Sequence, residues 1–173
     1  NTLFGYRAGA SINSGDWNTV LGAYALDACT SGSFNLALGR NALTALTDGI
    51  KNIAVGHETL ASNQSADNNV AVGAAVMNSL STGEYNTAVG NSSMLYQDTA
   101  VQNTSLGYET LKVNTKSSYN VAIGYQSMVT LNRSDAGGQN TAVGHQSARD
   151  MTDGRYNACY GAASGRALTS GEQ

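Results

Sequence analysis

Charge is scarce in this sequence, and proline is absent altogether. Only 12% of the 173 residues are charged, about half of the roughly 25% that is usual in soluble domains. The formal net charge is −3, so the chain has no basic field to attract phosphates, which argues against binding of nucleic acid. Two cysteines make no disulfide framework. No apolar run approaches the roughly 18 residues that a membrane-spanning helix needs, so membrane insertion is not expected.

Glycine and asparagine are abundant instead, with 20 and 18 residues, and both recur at a fixed spacing. The string Asn-x-small-aliphatic-Gly occurs ten times, and its Asn residues are 17 positions apart eight times and 20 apart once. Ten units of 17 residues and three inserted residues, which we place within 133–136 before Gly137, account for residues 1–173 as one repeat domain. We number the units coils 1 to 10, and the positions within each unit 1 to 17. The units start at Asn1, Asn18, Asn35, Asn52, Asn69, Asn86, Asn103, Asn120, Asn140 and Asn157.

Each unit has the composition of a short β-coil. Position 4 is large and apolar in every copy, position 9 is usually Leu or Met, and position 17 is often aromatic. Seventeen residues are too few for two packed helices, and Gly, Asn and β-branched residues at fixed positions oppose helix. We therefore predict an all-β fold, a β-solenoid (parallel β-roll) of ten coils that spans roughly 48 Å. We expect one strand at positions 2–4, a second at positions 7–11 and a polar turn at positions 13–16.

Identical residues in successive coils of a solenoid lie in columns. The Asn column at position 1 predicts a structural ladder of stacked side-chain amides at a corner, and a row of amides that binds a ligand is the less favoured alternative. The Gly column at position 5 predicts a positive φ or the close approach of another backbone. This column consists of Gly5, Gly22, Gly39, Gly56, Gly73, Gly90, Gly107, Gly124, Gly144 and Gly161.

The two faces of the predicted strand both lack charge. Side chains alternate between faces along a strand, so positions 2 and 4 share one face and positions 1, 3 and 5 the other. A solenoid wall buries only its inner face, so an uncharged outer face predicts contact with another subunit. We expect a homo-oligomer wound around a common axis, and a monomer with an uncharged wall is the alternative. Neither end of the sequence has an atypical capping unit, which predicts an excerpt of a longer fibre or end-to-end stacking.

Few residues carry the pattern of a chemical site. His57 and His145 share position 6 but lie five coils apart, about 24 Å, too far to bind one metal ion within a chain. In a trimer, symmetry-related copies of one His could meet on the axis. Cys29 and Cys159 are about 38 Å apart, so they cannot form an intrachain disulfide and are expected to be packing residues. The carboxylates are scattered, so we predict no catalytic residue, no cofactor and no metal site.

The aromatic column at position 17 is the best candidate for recognition. Its rings follow polar turns, where they could stack on sugars, cover the edge of the coil or pack between subunits. This column contains Trp17, Phe34, Tyr85, Tyr119 and Tyr156.

Several units resemble a known family. The stretches 86–90 (NTAVG), 120–128 (NVAIGYQSM) and 140–147 (NTAVGHQS) are similar to the 17-residue NTAIG-type repeats of phage and phage-like tail-fibre proteins. These are related in style to the head repeats of trimeric autotransporter adhesins. The resemblance covers the whole chain and implies a trimeric parallel β-roll in a surface fibre that serves attachment. It brings no catalytic or binding residues, and the chain differs from the family in lacking a recognisable receptor-binding tip or self-cleaving chaperone, so we expect shaft or head.

Three classes of function follow. The leading hypothesis is a structural and adhesive segment of an extracellular fibre, either a viral tail fibre on the virion or a bacterial adhesin on the cell surface. Its partners would be further copies of itself and a cell-surface glycan or receptor. The alternative is a repetitive surface that binds carbohydrate or ice, although Thr occupies position 2 in only five of ten coils, too irregular for an ice lattice. A glycan-cleaving enzyme is the third, and the sequence shows no acid pair for it.

Overall fold

The chain forms the predicted β-solenoid. A computed structural model describes residues 1–131 and 137–172, and these contain short strands and turns but no helix, hence none that could span a bilayer. The predicted insertion within 133–136 lies outside the described residues. The strands are β1 (Thr2–Phe4), β2 (Thr19–Leu21), β3 (Leu36–Leu38), β4 (Ile53–Val55), β5 (Val70–Val72), β6 (Thr87–Val89), β7 (Thr104–Leu106), β8 (Val121–Ile123), β9 (Thr141–Val143), β10 (Asp153–Arg155), β11 (Ala158–Tyr160) and β12 (Ser170–Glu172).

One ten-stranded parallel sheet runs along the molecule. It contains β1 to β9 and then β11, and each strand pairs with the strand of the next coil. The register joins equal positions, so that Thr2 lies opposite Thr19 and Leu36 opposite Ile53. The register is kept between coils 8 and 9, where Val121 lies opposite Thr141 although twenty residues separate them. The longer coil therefore leaves the column positions of the sheet unchanged.

The second strand predicted at positions 7–11 is wrong. Positions 7 and 9 adopt left-handed backbone angles in all ten coils, as at Asn41 (φ 59°) and Leu43 (φ 52°). A left-handed residue turns its peptide group around, so the amides point alternately to the two neighbouring coils. The Asn41 amide bonds to the Ala23 carbonyl of the coil before, and the Leu43 amide to the Thr59 carbonyl of the coil after. Hydrogen bonding between coils is thus retained without an extended strand.

Outside the main sheet, β-type pairing between coils occurs only at a few of the described positions. Isolated parallel bridges join Tyr96 to Val113 and Val113 to Thr130, all at position 11. Positions 10 and 11 carry large or β-branched residues in these coils and small residues at Ala28 and Ala45. Strands β10 and β12 pair separately at positions 14–16. The bridges at position 11 therefore occur in coils whose side chains favour strand geometry, whereas β10 and β12 pair without such side chains.

The inner face of the sheet is the one with small residues. Position 3 is buried from coil 2 onward, as at Ala37 and Ala54, whereas Leu36 and Leu38 at positions 2 and 4 are partly exposed. The interior is filled from the opposite wall by Leu43 at position 9 and Leu46 at position 12, both fully buried in the same cluster. Little space is left beneath the sheet, so Ala fits inward and the larger aliphatic side chains point outward.

Candidate functional site

The ten Asn side chains at position 1 lie in a single file. From Asn18 to Asn157, the backbone N–H of each Asn donates to the Oδ1 of the preceding Asn at 2.8–3.1 Å. From Asn52 onward, the Nδ2 group donates to the same oxygen at 3.0–3.3 Å. In most coils it also donates to the carbonyl at position 15, as in the 2.8 Å bond from Asn18 to Gly32. From Asn18 to Asn140, both ends of each buried amide are hydrogen-bonded within the chain, so the file has a structural arrangement rather than that of a ligand site.

The Gly column at position 5 combines both conditions named above. In all ten coils φ lies between 108° and 144°. A Cβ atom at Gly56 would lie 2.1 Å from the Gly73 carbonyl oxygen, and the same conflict recurs from Gly5 to Gly144. No side chain fits where consecutive coils approach so closely. The Gly column therefore has a structural role, because it permits the close contact between consecutive coils.

All twelve aromatic residues of the chain are exposed. Their exposed fractions range from 37% at Tyr24 to 74% at Phe4 and Trp17. Aromatic side chains usually dominate protein cores and interfaces because each can bury a large apolar area. Ten of the twelve occupy positions 17, 4 or 6, which lie on or beside the outer face of the sheet. Most of the aromatic surface is thus gathered on one side of the solenoid.

The outer face itself, formed by positions 2 and 4, carries neither charge nor side-chain amide in any of the ten coils. It consists of Thr, Ala, aliphatic residues, Phe4 and Tyr160. All 21 charged residues occupy other positions. The flanking columns differ from it, because position 6 includes Arg40 and position 17 includes Lys51. We call positions 2 and 4 the outer face, and positions 6 and 17 its two margins.

The five predicted aromatic residues at position 17 fall into two groups. Trp17 and Phe34 lie in coils 1 and 2, and Lys51 and Asn68 follow in coils 3 and 4. Tyr85, Tyr119 and Tyr156 then lie in coils 5, 7 and 9, with glutamines in coils 6 and 8 between them. The structure therefore does not bring all five together.

The margin at position 6 contains a stack of rings. The ring centroids of Tyr108 and Tyr125 are 5.4 Å apart at 12°, and those of Tyr125 and His145 are 5.3 Å apart at 9°. The second predicted His, His57, lies beside Arg40, with 3.5 Å between Nε2 and the guanidinium Nη1, and 3.7 Å from the Glu58 carboxylate. The residues described in the structure include no group of three His, Cys, Asp or Glu side chains that could hold a metal ion.

A hydrogen-bonded side-chain ladder runs next to the ring stack. Lys112 Nζ donates to Glu109 Oε1 at 2.6 Å, Gln126 Nε2 to Glu109 Oε2 at 2.8 Å, and Gln146 Nε2 to Gln126 Oε1 at 3.2 Å. The hydrogen bond from Lys112 and then that from Gln126 lower the pKa of Glu109. The same bond, which Lys112 donates to the carboxylate, raises the pKa of Lys112. The charge pair lies within coil 7, and the bond from Gln126 joins it to coil 8, so this clamp is a structural surface contact rather than a reactive group.

The cysteines are buried and free. Burial raises the pKa of both the Cys29 and the Cys159 thiol, which keeps them in the unreactive protonated form. They lie in the core cluster with the Leu, Met and Ala residues.

Two residues that the sequence analysis missed are Gln102 and Gln139. They occupy position 17 in coils 6 and 8, are exposed, and have the same left-handed φ as the tyrosines around them. Their place at position 17 of the repeat could have identified them. A search for aromatic residues alone omits the residues between the rings.

Compared with known proteins, the chain matches no protein-family model, no curated protein and no solved structure.

Proposed function

We propose that the chain is a shaft or head segment of an extracellular attachment fibre and that it assembles with further copies of itself through the outer face. The observation that carries this proposal is the outer face, uncharged over all ten coils and bordered by margins that include charged residues. An apolar surface of this extent with a polar border is typical of an interface. We assign the chain no catalytic activity.

A second copy of the chain is the occupant that this face fits best. Side chains recur on it with the spacing of parallel strands, about 4.8 Å. A partner that stays in register over ten coils needs a surface with the same repeat, which another copy has. Closed symmetry with identical subunits is the usual arrangement of soluble oligomers. The similarity of the units to tail-fibre and adhesin repeats favours three copies and a place on a virion or cell surface.

The Asn ladder and the Gly column supply the stiffness that a fibre segment needs. Every coil is tied to its neighbours by backbone bonds and by the buried amides, such as the 3.0 Å bond from Asn120 to Asn103. Each coil contacts only adjacent coils, so the same arrangement can be repeated to any length.

The test measures molar mass in solution by light scattering and particle shape by electron microscopy. We expect one oligomeric species and slender multi-chain rods. A double variant with Val55→Lys and Val72→Lys places two charges on the outer face at position 4 and should dissociate the oligomer. The matched control, Ser65→Lys and Thr82→Lys, adds the same charges in the same two coils at exposed position 14 and should leave it assembled. A monodisperse wild-type monomer, or equal dissociation by both variants, would contradict the proposal.

A further inference from the structure

We propose that position 17 of coils 5 to 9 is a binding track for a linear β-1,4-linked glycan, in which every second sugar stacks on a tyrosine. The inference names a ligand class for the attachment fibre proposed above and takes only its biological setting from that proposal. We call this file of five residues the Tyr/Gln track. In chain order it consists of Tyr85, Gln102, Tyr119, Gln139 and Tyr156.

Aromatic and amide side chains alternate regularly along the track. A tyrosine occupies position 17 in coils 5, 7 and 9 and a glutamine in coils 6 and 8. All five side chains are exposed, and the tyrosines have exposed fractions of 57%, 50% and 55%. None of the three rings stacks on another ring in the part of the chain that the structure describes. No other described ring therefore occupies their faces.

The backbone holds the five residues in one conformation. Their φ angles lie between 55° and 63°. Each backbone N–H donates to the carbonyl at position 16 of the coil before, at 3.0–3.3 Å. Each is followed by a buried Asn of the ladder, such as Asn86 after Tyr85 and Asn120 after Tyr119. The spacing between side chains is thus fixed before any ligand arrives, which lowers the entropic cost of binding.

The spacing fits a glycan with a two-sugar repeat. Successive tyrosines are two coils apart, about 9.6 Å at the strand spacing of parallel sheets. One sugar advances an extended β-1,4 chain by a length comparable to one coil, and successive sugars are turned over. Every second sugar therefore presents the same C–H face, and it can pack on a tyrosine. The intervening sugar lies at a glutamine, whose amide can donate to and accept from its hydroxyls.

The composition of position 17 indicates that the track stays open when the fibre assembles. The outer face excludes charges and amides in all ten coils, whereas position 17 includes Lys51, Asn68 and both glutamines. Burying such groups without partners is costly. Position 17 is also separated from the outer face by the buried Asn at position 1, so it lies at the margin rather than inside the proposed interface.

The experiment titrates the full chain, in its assembled form, with cellohexaose, chitohexaose and α-1,4-linked maltohexaose by isothermal titration calorimetry. We expect at least one β-1,4 hexasaccharide to bind, and to bind about tenfold or more tightly than its disaccharide, because three rings are engaged instead of one. We expect maltohexaose not to bind, because its α linkages curve the chain. Binding by none of the β-1,4 hexasaccharides, or equal binding by the α-linked one, would overturn the inference.

Three variants locate the site. Tyr119→Ala removes the central ring and should weaken binding about tenfold or more. A double variant, Gln102→Tyr with Tyr119→Gln, keeps the composition and exposed aromatic area but breaks the alternation, and it should weaken binding as much. Phe34→Ala removes an equally exposed ring (55%) from the same position in coil 2 and should leave affinity unchanged. A double variant that still binds like the wild type, or a Phe34→Ala variant that does not, would show non-specific aromatic adhesion and would refute the track.

Light scattering on the same samples separates this inference from the fibre proposal. A wild-type oligomer that binds none of the glycans refutes the track and leaves the fibre proposal intact. A wild-type monomer that binds with the predicted dependence on length and alternation refutes self-association and supports the track.

Discussion

Coils 2 and 3 share one backbone with coils 6 to 9 but differ from them in what fills and covers it. At position 8, coils 2 and 3 have a buried alanine, Ala25 and Ala42, whereas coils 6 to 9 have a residue with a hydroxyl group. These are Ser93, Thr110, Ser127 and Ser147. The hydroxyls are satisfied internally, as in the 3.0 Å bond from Ser127 Oγ to the Ala142 carbonyl.

The same division appears on the surface. The stack formed by Tyr108, Tyr125 and His145, the ladder at Glu109 and most of the Tyr/Gln track belong to the later coils. The Asn at position 1 and the Gly at position 5 do not vary between the two regions. These two columns therefore define the coil, and the residues at the remaining positions can be exchanged within limits set by their orientation.

The largest effect should come from the core column that both regions use in the same way. Leu43 and Met128 both occupy position 9, fully buried, with φ of 52° and 50°. Replacing either by Ala should cost about 2–5 kcal/mol through lost burial and a cavity. Thermal unfolding at fixed protein concentration, followed by circular dichroism, measures this. A loss confined to one region would show that the two cores are not equivalent.

Replacing a Gly at position 5 should destabilise the fold to a similar extent in both regions. Gly56→Ala and Gly124→Ala would place Cβ atoms 2.1 and 2.5 Å from the carbonyl oxygens of the next coil. Because φ is positive at both sites and backbone would have to move, we expect each to cost about 2 kcal/mol or more. The same thermal measurement applies, with the exposed Gln64→Ala as a control. Unchanged unfolding temperatures would mean that the coils can separate at this corner without penalty.

At position 8, replacing Ala by Ser should be tolerated, whereas replacing Ser by Ala should destabilise the fold. Ala42→Ser puts a hydroxyl where coil 8 already has one, near the equivalent carbonyls of the next coil, so we expect a change within about 0.5 kcal/mol. Ser127→Ala removes the bond to the Ala142 carbonyl and should cost about 1 kcal/mol. Chemical denaturation of both variants and the wild type would resolve this difference. A severe loss in Ala42→Ser would show that coil 3 cannot satisfy a buried hydroxyl, unlike coil 4, where Thr59 donates to the Gly73 carbonyl.

The smallest effect concerns acid stability of the later coils. The pKa of Glu109 is lowered in the folded chain by Lys112 and Gln126, so its contribution is present above the unfolded pKa and is lost as pH falls through the folded one. Below that range, Glu109→Gln and wild type should converge. At pH 7 the variant should unfold about 1–2 °C lower.

The control is Glu58→Gln at the same position in coil 4, where the carboxylate is 44% exposed and faces His57 at 3.7 Å. It should change the unfolding temperature less at either pH. If the difference between Glu109→Gln and wild type does not shrink on acidification, the clamp around Glu109 does not contribute to stability in the way its contacts indicate.

Much of the fold could be predicted because a strict repeat leaves few architectures. The column positions of Asn18 and Gly22 follow from counting, and a 17-residue period with a β-type pattern points to a solenoid. The second strand could not be predicted, because the left-handed angles at Asn41 and Leu43 depend on hydrogen bonds to the coils on both sides. Nothing in the residue types at positions 7 and 9 requires such angles.

The candidate site was predicted in part. Position 17 was identified from its rings, yet the alternation with Gln102 and Gln139 becomes meaningful only when the five residues share one backbone angle and one exposed file. The ring stack at Tyr125 likewise needs a common coil spacing. Residues seventeen or thirty-four positions apart have no local interaction that sequence reading could detect.

By itself, the sequence determined the number of coils, their register and the columns in which like residues meet, because a repeat of fixed length can stack in only one phase. The tertiary structure alone decided which face of the sheet is inside. Leu43 and Leu46 fill the interior from the opposite wall, so Ala faces inward and the larger aliphatic residues at positions 2 and 4 face outward. That choice depends on the volume available between the two walls, which no single strand encodes.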